Sequence, residues 1–204
     1  LKLVTSRTKL RDTLYNYNQN PNEEDLETIT GIIVDAAKPI EEFERICIVS
    51  LDGIVLASTN QDFCGKNVAE ENFFINGTEK EGVYFIKEGN NYKIFVSGPL
   101  KIENEVIGVG ITVIGLDKMS HIVQSKVGLG ETGEVLAAFL GDDGLRKYPV
   151  VRRFENQSVD VANEGLLTAL PMKQALKGVE NIFENILDYR NVKVIAVSQY
   201  IDIA

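Results

Sequence analysis

Two apolar segments interrupted by Asp-Gly constrain this chain more than any other feature. The first runs over 45–58, with its turn at Asp52-Gly53, and the second starts at Glu134, with its turn at Asp143-Gly144. Asp and Gly tolerate the positive φ of tight turns, so each pattern predicts a β-hairpin. A second hairpin follows each of them, closed by polar turns at 88–91 and 188–191. The order of elements predicts one structural plan used twice.

This repeat predicts an α+β fold with two tandem modules. A chain of 204 residues has room for two domains of about 80–90 residues. We expect a long N-terminal helical stalk over 1–40, broken near Pro21, with Asn22 as an N-cap. A first module follows over 41–117, and a connector helix with a second module over 118–204. Each module is expected to hold a central antiparallel sheet flanked by helices, with the last strand of the second sheet missing.

Composition narrows the classes of partner. The net charge of −9 and the pI of 4.8 argue against nucleic acid and against an anionic membrane surface, since both require basic protein surface. No apolar run approaches the ~18 residues of a membrane span. Because the sequence starts within a helical pattern and stops within a strand pattern, we read the chain as an excised soluble fragment. Cys47 in a strand and Cys64 in a loop do not make a disulfide framework, and the favoured interpretation is two free thiols. A single disulfide between them is the alternative. We expect neither a cofactor nor a metal.

Four segments in order resemble the double Cache domains, which are PAS-like extracytoplasmic sensors. Residues 51–58, Leu51-Asp-Gly-Ile-Val-Leu-Ala-Ser58, resemble the first hairpin of that family. Residues 107–117 resemble the last strand of its membrane-distal module. The entry into the second module, Val127-Gly-Leu-Gly-Glu-Thr-Gly-Glu134, and its late hairpin over 188–200 are also similar to that family. Each motif alone is degenerate, but the four together cover nearly the whole chain.

The resemblance implies an extracellular sensor within a membrane receptor, most often a histidine kinase. A small ligand would bind the membrane-distal module and shift the helical stalk, and the receptor would be a homodimer anchored by flanking membrane helices. A chemotaxis transducer or a cyclic-nucleotide enzyme is the alternative output. Two rival functions stay open: a ligand-free structural ectodomain, and a hydrolase using Ser120 beside His121.

The candidate ligand site lies in the first module. The segment Glu70-Glu-Asn-Phe-Phe-Ile-Asn76 is expected to cover the sheet, because a pocket needs an apolar wall with a few polar groups. The candidate site residues share a place on this segment or on the facing strands: Glu71, Asn72, Phe73, Phe74, Tyr84, Tyr92 and Ser97. The alternative is that these aromatic residues are simply core. We predict no catalytic residue.

The resemblance also bears on the ligand. Many amino-acid-binding double Cache domains carry an Arg two residues before the aromatic pair, to hold the ligand carboxylate. Here that position is Glu71, and a carboxylate cannot hold a carboxylate without a cation. A standard amino acid is therefore not expected as the ligand.

Other motifs favour ordinary structural roles. Four cations at 146, 147, 152 and 153 are expected to form a solvated loop face, since runs of charge usually face water. Ser120 and His121 are neighbours in a helix and point in different directions, without an evident acid to orient the imidazole. Gly128, Gly130 and Gly133 have the spacing of a dinucleotide loop, but they precede a strand where that loop must start a helix. The chain is therefore not expected to be an enzyme.

Overall fold

The computed structural model of the chain describes residues 2–141, 143–154, 160–161 and 170–202. It divides into two compact units, one comprising 1–88 and 92–116 and the other 89–91 and 117–204. The first unit includes the N-terminal helices. None of the described helices is long and apolar enough to cross a membrane.

Three helices open the first unit: α1 (Lys2–Thr5), α2 (Thr8–Gln19) and α3 (Glu23–Ala37). Asn22 is the N-cap of α3, and its side chain accepts the backbone N–H of Asp25 at 2.9 Å. The first turn of α3 is acidic, which the positive end of the helix dipole favours. The predicted break at Pro21 and the predicted cap are both confirmed.

A five-stranded sheet follows, with strand order β2-β1-β5-β4-β3. The pairs β1–β2, β1–β5 and β4–β5 are antiparallel. In chain order the strands are β1 (Phe43–Val49), β2 (Val55–Ser58), β3 (Gly82–Glu88), β4 (Asn91–Ile102) and β5 (Glu105–Ile114). The predicted Asp52-Gly53 hairpin is confirmed, with φ of +86° at Gly53.

Both faces of this sheet are apolar and covered. On the helix face, Leu14 and Ile33 of the helices pack in one buried cluster with Ile46, Ile48 and Leu100 of the strands. The opposite face, here called the α4 face, is covered by α4 (Asn72–Gly77). Its buried cluster comprises Cys47, Val49, Val55, Phe73, Phe74, Phe95, Val109, Ile111 and Val113. Successive strand residues point to opposite faces, so β1 supplies both clusters from alternate positions.

Gly108 sets how closely α2 approaches the sheet. A Cβ at this position would lie 2.8 Å from the carbonyl oxygen of Val49 and 3.0 Å from Cδ2 of Leu14. The backbone carbonyl cannot move without disturbing the β1–β5 ladder. Glycine at 108 therefore allows Leu14 to pack directly on β5.

The second unit contains shorter elements. Its helices are α5 (Asp117–Gln124) and α6 (Leu170–Ala175). Two sheets are described, one with strand order β6-β7-β8 and the other the hairpin β9–β10. The strands are β6 (Phe139–Leu140), β7 (Arg146–Lys147), β8 (Asp160–Val161), β9 (Asn181–Leu187) and β10 (Lys193–Ser198).

Some sequence predictions for this unit are confirmed, and others are confirmed only in part. The turn at Gly144 has the expected positive φ of 72°, and the closing hairpin is present. The strand predicted from Glu134 is described only at 139–140. The predicted helix over 165–177 begins at Leu170 as described, and its residues 165–169 lie outside the described ranges.

Replacing Gly108 with Ala should destabilise the protein by about 1–3 kcal/mol, because the added methyl group overpacks the α2–β5 contact. Gly31→Ala is the matched control, since a Cβ there meets nothing within 4 Å and the residue lies within α3. That control should stabilise by about 0.5–1 kcal/mol through helix propensity. Urea unfolding of both variants checks the pair, and equal effects would contradict the packing account.

Candidate functional site

The α4 face holds the aromatic pair predicted for the ligand site. Phe73 and Phe74 are each 5% exposed and lie in the first turn of α4. The Phe73 ring lies 5.0 Å from the Phe95 ring, centroid to centroid, at an interplanar angle of 39°. Tyr84 and Ile86 of β3 are partly buried against the same cluster. This helix is therefore seated on the sheet by aromatic and aliphatic contact.

One polar contact lies within this apolar interface. Ser97 of β4 is fully buried, and its hydroxyl donates to the backbone carbonyl of Phe73 at 2.6 Å. At the end of α4, a Cβ on Gly77 would lie 2.8 Å from the same hydroxyl oxygen and 3.1 Å from Cγ1 of Val109. The end of α4 therefore lies close against the strands, while the Ser97 hydroxyl bonds the helix near its start.

The structure brings together four of the seven predicted site residues: Phe73, Phe74, Tyr84 and Ser97. Glu71 and Asn72 are exposed at the start of α4, where the Glu71 carbonyl accepts the N–H of Phe74 at 2.9 Å. Tyr92 is buried but lies three residues before Phe95, so strand alternation turns it to the other side of β4. Whether these residues bind a ligand stays a prediction.

Sequence reasoning missed Arg45, which is the buried cation of this face. The side chain is 6% exposed, and its guanidinium carbon lies 3.5 Å from the Phe63 ring centroid and 5.8 Å from that of Phe95. Such stacking of a desolvated cation on aromatic rings is stabilising. A charged residue on the face of β1 that it shares by alternation with Cys47 and Val49 is the signal that could have identified it.

Arg45 is held by a carboxylate at the end of β3. Its Nη2 lies 2.7 Å from Oε1 of Glu88, whose other oxygen lies 3.2 Å from Nζ of Lys93. Lys93 also pairs with Glu44. Burial opposes the charge of Glu88, but bonds and charges from Arg45 and Lys93 outweigh burial and lower its pKa. The bond with Glu44, with help from Glu88, raises the pKa of Lys93.

The second unit contains a buried arginine that was expected to face water. Arg152 is 5% exposed, with its guanidinium carbon 4.8 Å from the Tyr148 ring and 4.3 Å from the Tyr189 ring. Arg146 is 8% exposed as well. The predicted solvated face is therefore wrong for these two residues. For Arg152 the reason is that the rings of Tyr148 and of Tyr189, from the closing hairpin, cover its guanidinium.

Glu134 is the carboxylate of this second cluster. It accepts the Tyr189 hydroxyl at 3.0 Å and lies 3.9 Å from Nη2 of Arg190, which is paired with Asp188. Burial raises the pKa of Glu134 above its ordinary value, despite the hydrogen bond and the nearby cation. Burial, together with the Glu134 carboxylate, also raises the pKa of Tyr189.

The residues of the hydrolase alternative are not assembled. His121 is exposed on α5, and within the described ranges no hydrogen bond joins it to Ser120. Cys47 is buried and Cys64 exposed, and both are free thiols, as the favoured interpretation of the sequence expected. Burial raises the pKa of the Cys47 thiol. The described residues include no group of three or more His, Cys, Asp or Glu placed to hold a metal ion.

Comparison with solved structures identifies the fold. The chain is similar to the sensor domain of the Vibrio cholerae histidine kinase DctB, with TM-score 0.50, 14% identity, and coverage of 80% of this chain and 81% of that one. It is also similar to the extracellular domain of rpHK1S-Z16, assigned as a histidine kinase, with TM-score 0.56, 14% identity, and coverage of 84% and 70%.

A third similar structure is an extracellular ligand-binding receptor from Desulfohalobium retbaense, with TM-score 0.53, 13% identity, and coverage of 85% of this chain and 31% of that one. No protein-family model matches the chain. No curated protein matches it either. At these identities the similarity establishes the fold: this chain has the α+β, PAS-like fold of extracellular sensor domains, as the Cache resemblance predicted.

Glu88→Gln should weaken the dependence of stability on acid. The lowered pKa of Glu88 means that its contribution is fully present above the ordinary value of 4.5 and is lost as pH falls through the lowered value. The free energy of unfolding of the variant should be lower than that of wild type by about 1 kcal/mol at neutral pH and by less at low pH. Urea unfolding across this range, with exposed Glu81→Gln as the control, checks the change. A loss that does not depend on pH would contradict the pairing.

Glu134→Gln should behave in the opposite sense. Because burial raises the pKa of Glu134 in the folded state, the free energy of unfolding of the wild type is highest while Glu134 is protonated. It falls as pH rises through the raised pKa. Glutamine stays neutral, so the variant should gain stability relative to wild type as pH rises above the ordinary value of 4.5. Unfolding of this variant and of the exposed control Glu131→Gln measures the difference. A relative loss with rising pH would refute the assignment.

Proposed function

We propose that the chain is the extracellular ligand-sensing domain of a membrane receptor and that a small molecule binds between α4 and the sheet of the first unit. The fold shared with extracellular and sensor domains supports the class of function. The main support for this location is the hydrogen bond from the Ser97 hydroxyl to the Phe73 carbonyl at 2.6 Å. Ligand sites are mostly apolar with a few polar groups that orient the ligand, and this bond places such groups within an apolar interface.

The arrangement of this face favours a compact, mostly apolar ligand with a neutral polar group. The walls are Phe73, Phe95 and the aliphatic residues of β5, while Ser97 and the Phe73 carbonyl offer one donor and one acceptor. A ligand that inserts here replaces one hydrogen bond with two of its own. Glu71 stands where the Cache resemblance would place the arginine that holds a ligand carboxylate. The buried cation of this face, Arg45, is already paired with Glu88 at 2.7 Å, and the two facts together favour a ligand other than a standard amino acid.

We propose that signalling starts at α4, the short helix that covers the ligand site. If the ligand binds the protein more tightly when α4 is displaced from the sheet than when α4 is packed on it, ligand shifts the population toward the displaced form. Only such a difference in affinity between two conformations transmits a signal. In the proposed receptor the first unit is membrane-distal, the chain works as a homodimer, and membrane helices lead to a histidine kinase. A chemotaxis transducer or a cyclic-nucleotide enzyme is the alternative output.

A ligand-free ectodomain is the second candidate, and one observation favours it. Phe73 and Phe74 are buried and Tyr84 half-buried against the sheet, so the α4 face is filled by its own side chains. A thermal-shift screen of small metabolites separates the candidates. A ligand at about a hundred times its Kd stabilises the folded state by about 2.7 kcal/mol, enough to raise Tm by several degrees. A screen without any stabilising compound would favour the ligand-free ectodomain.

Ser97→Ala should loosen α4 without unfolding the unit. Loss of one buried hydrogen bond of about 1 kcal/mol should speed amide exchange of residues 73–78 by about fivefold. Ser198→Ala is the matched control, because its hydroxyl also donates to a backbone carbonyl, that of Val179, in the second unit. Hydrogen–deuterium exchange measures both variants. Unchanged exchange over 73–78 in Ser97→Ala would mean that apolar contact alone seats α4.

A further inference from the structure

A cleft of about 360 Å³ opens on the first unit, lined by residues outside the α4 face. Its walls come from three places: the last turns of α2, the β1–β2 turn and the start of β5. The lining residues that matter here are Tyr15, Asn18, Leu51, Asp52, Glu105 and Val106. The volume falls within the range of small-molecule sites, near its lower end.

The cleft is electronegative from two independent sources. Asp52 reaches it from the β1–β2 turn and Glu105 from the start of β5, and none of the described residues that line it is Lys, Arg or His. In the described part of the chain neither carboxylate makes an ion pair. The C-terminal end of α2 adds the negative end of a 12-residue helix, whose last turn carries no basic residue.

The polar groups of the cleft are held in place by neighbours. Ser50 donates its hydroxyl to Oδ1 of Asp52. Asn18 donates its side-chain N–H to the carbonyl of Ile107 at 2.8 Å, which leaves its amide oxygen as an acceptor. Asp52 and Asn18 are therefore ordered before any ligand arrives, which lowers the entropy cost of binding.

The cleft also offers apolar contact. Tyr15 is 38% exposed and Leu51 is 53% exposed, and both belong to its lining. An aromatic ring beside carboxylates attracts a cation through its negative face. Carboxylates, amide oxygen, aromatic ring and aliphatic side chains together match an ammonium group on a short carbon chain.

We propose that this cleft binds a small organic ammonium ion, with Asp52 and Glu105 as the counter-charges and Tyr15 with Leu51 against the carbon chain. The site is separate from the proposed ligand site on the α4 face. A bare metal ion fits less well, because the described residues supply no group of three metal-ligating side chains. Anionic ligands are disfavoured by the two carboxylates.

The test is calorimetric titration of the full chain with 1,4-diaminobutane, with 1,4-butanediol and succinate as neutral and anionic probes of similar length. Saturable binding of the diamine alone is expected, weakening as salt is raised. Asp52→Asn and Glu105→Gln should each weaken binding by about fivefold. Glu103→Gln removes the same charge from the neighbouring turn outside the lining and should change affinity by less than about twofold.

Four results would overturn the proposal. One is the absence of diamine binding, another is equal binding of the diol, and the third is equal weakening by Glu103→Gln. Ser97→Ala, on the α4 face, should leave diamine affinity unchanged. Loss of diamine binding in that variant would place the diamine under α4 and also overturn the proposal. Failure here would leave the α4-face proposal standing, because the metabolite screen tests that site independently.

Discussion

The burial of both faces of β1 and β5 is the constraint on which the first unit depends. These adjacent central strands are apolar at nearly every position, so neither face of the sheet can be left to water. The N-terminal helices cover one face and α4 covers the other. The helix face is closed by two long helices, whereas the α4 face is closed by a short one. That asymmetry supports the proposal that the ligand enters on the α4 face.

Local sequence patterns predicted most of the first unit. The Asp52-Gly53 turn, the Asn22 cap and the alternating strands each have a local physical cause, and the structure has all three. The second unit was predicted less well. Its strands before β9 are two residues long where described, so periodicity has too few positions to act on.

The buried arginines show what a single sequence cannot convey. Arg45 is covered by Phe63 and paired with Glu88, 43 positions away along the chain. Arg152 is covered in part by Tyr189, from the closing hairpin. Charge patterning assigns such residues to the surface, since the aromatic partners come together only in the tertiary fold. Of the seven candidate site residues, the burial of Phe73 and Phe74 follows from apolar spacing. The outward position of Glu71 depends on the α4 backbone.

Methyl-detected NMR of an isoleucine-labelled sample, titrated with a compound that stabilises the protein, tests the central claim most directly. Ile86 and Ile111 belong to the α4 face, whereas Ile46 and Ile48 lie under the helices. A ligand between α4 and the sheet should shift the first two resonances and leave the second two in place. Shifts confined to Ile46 and Ile48, or absent from all four, would contradict binding at the α4 face.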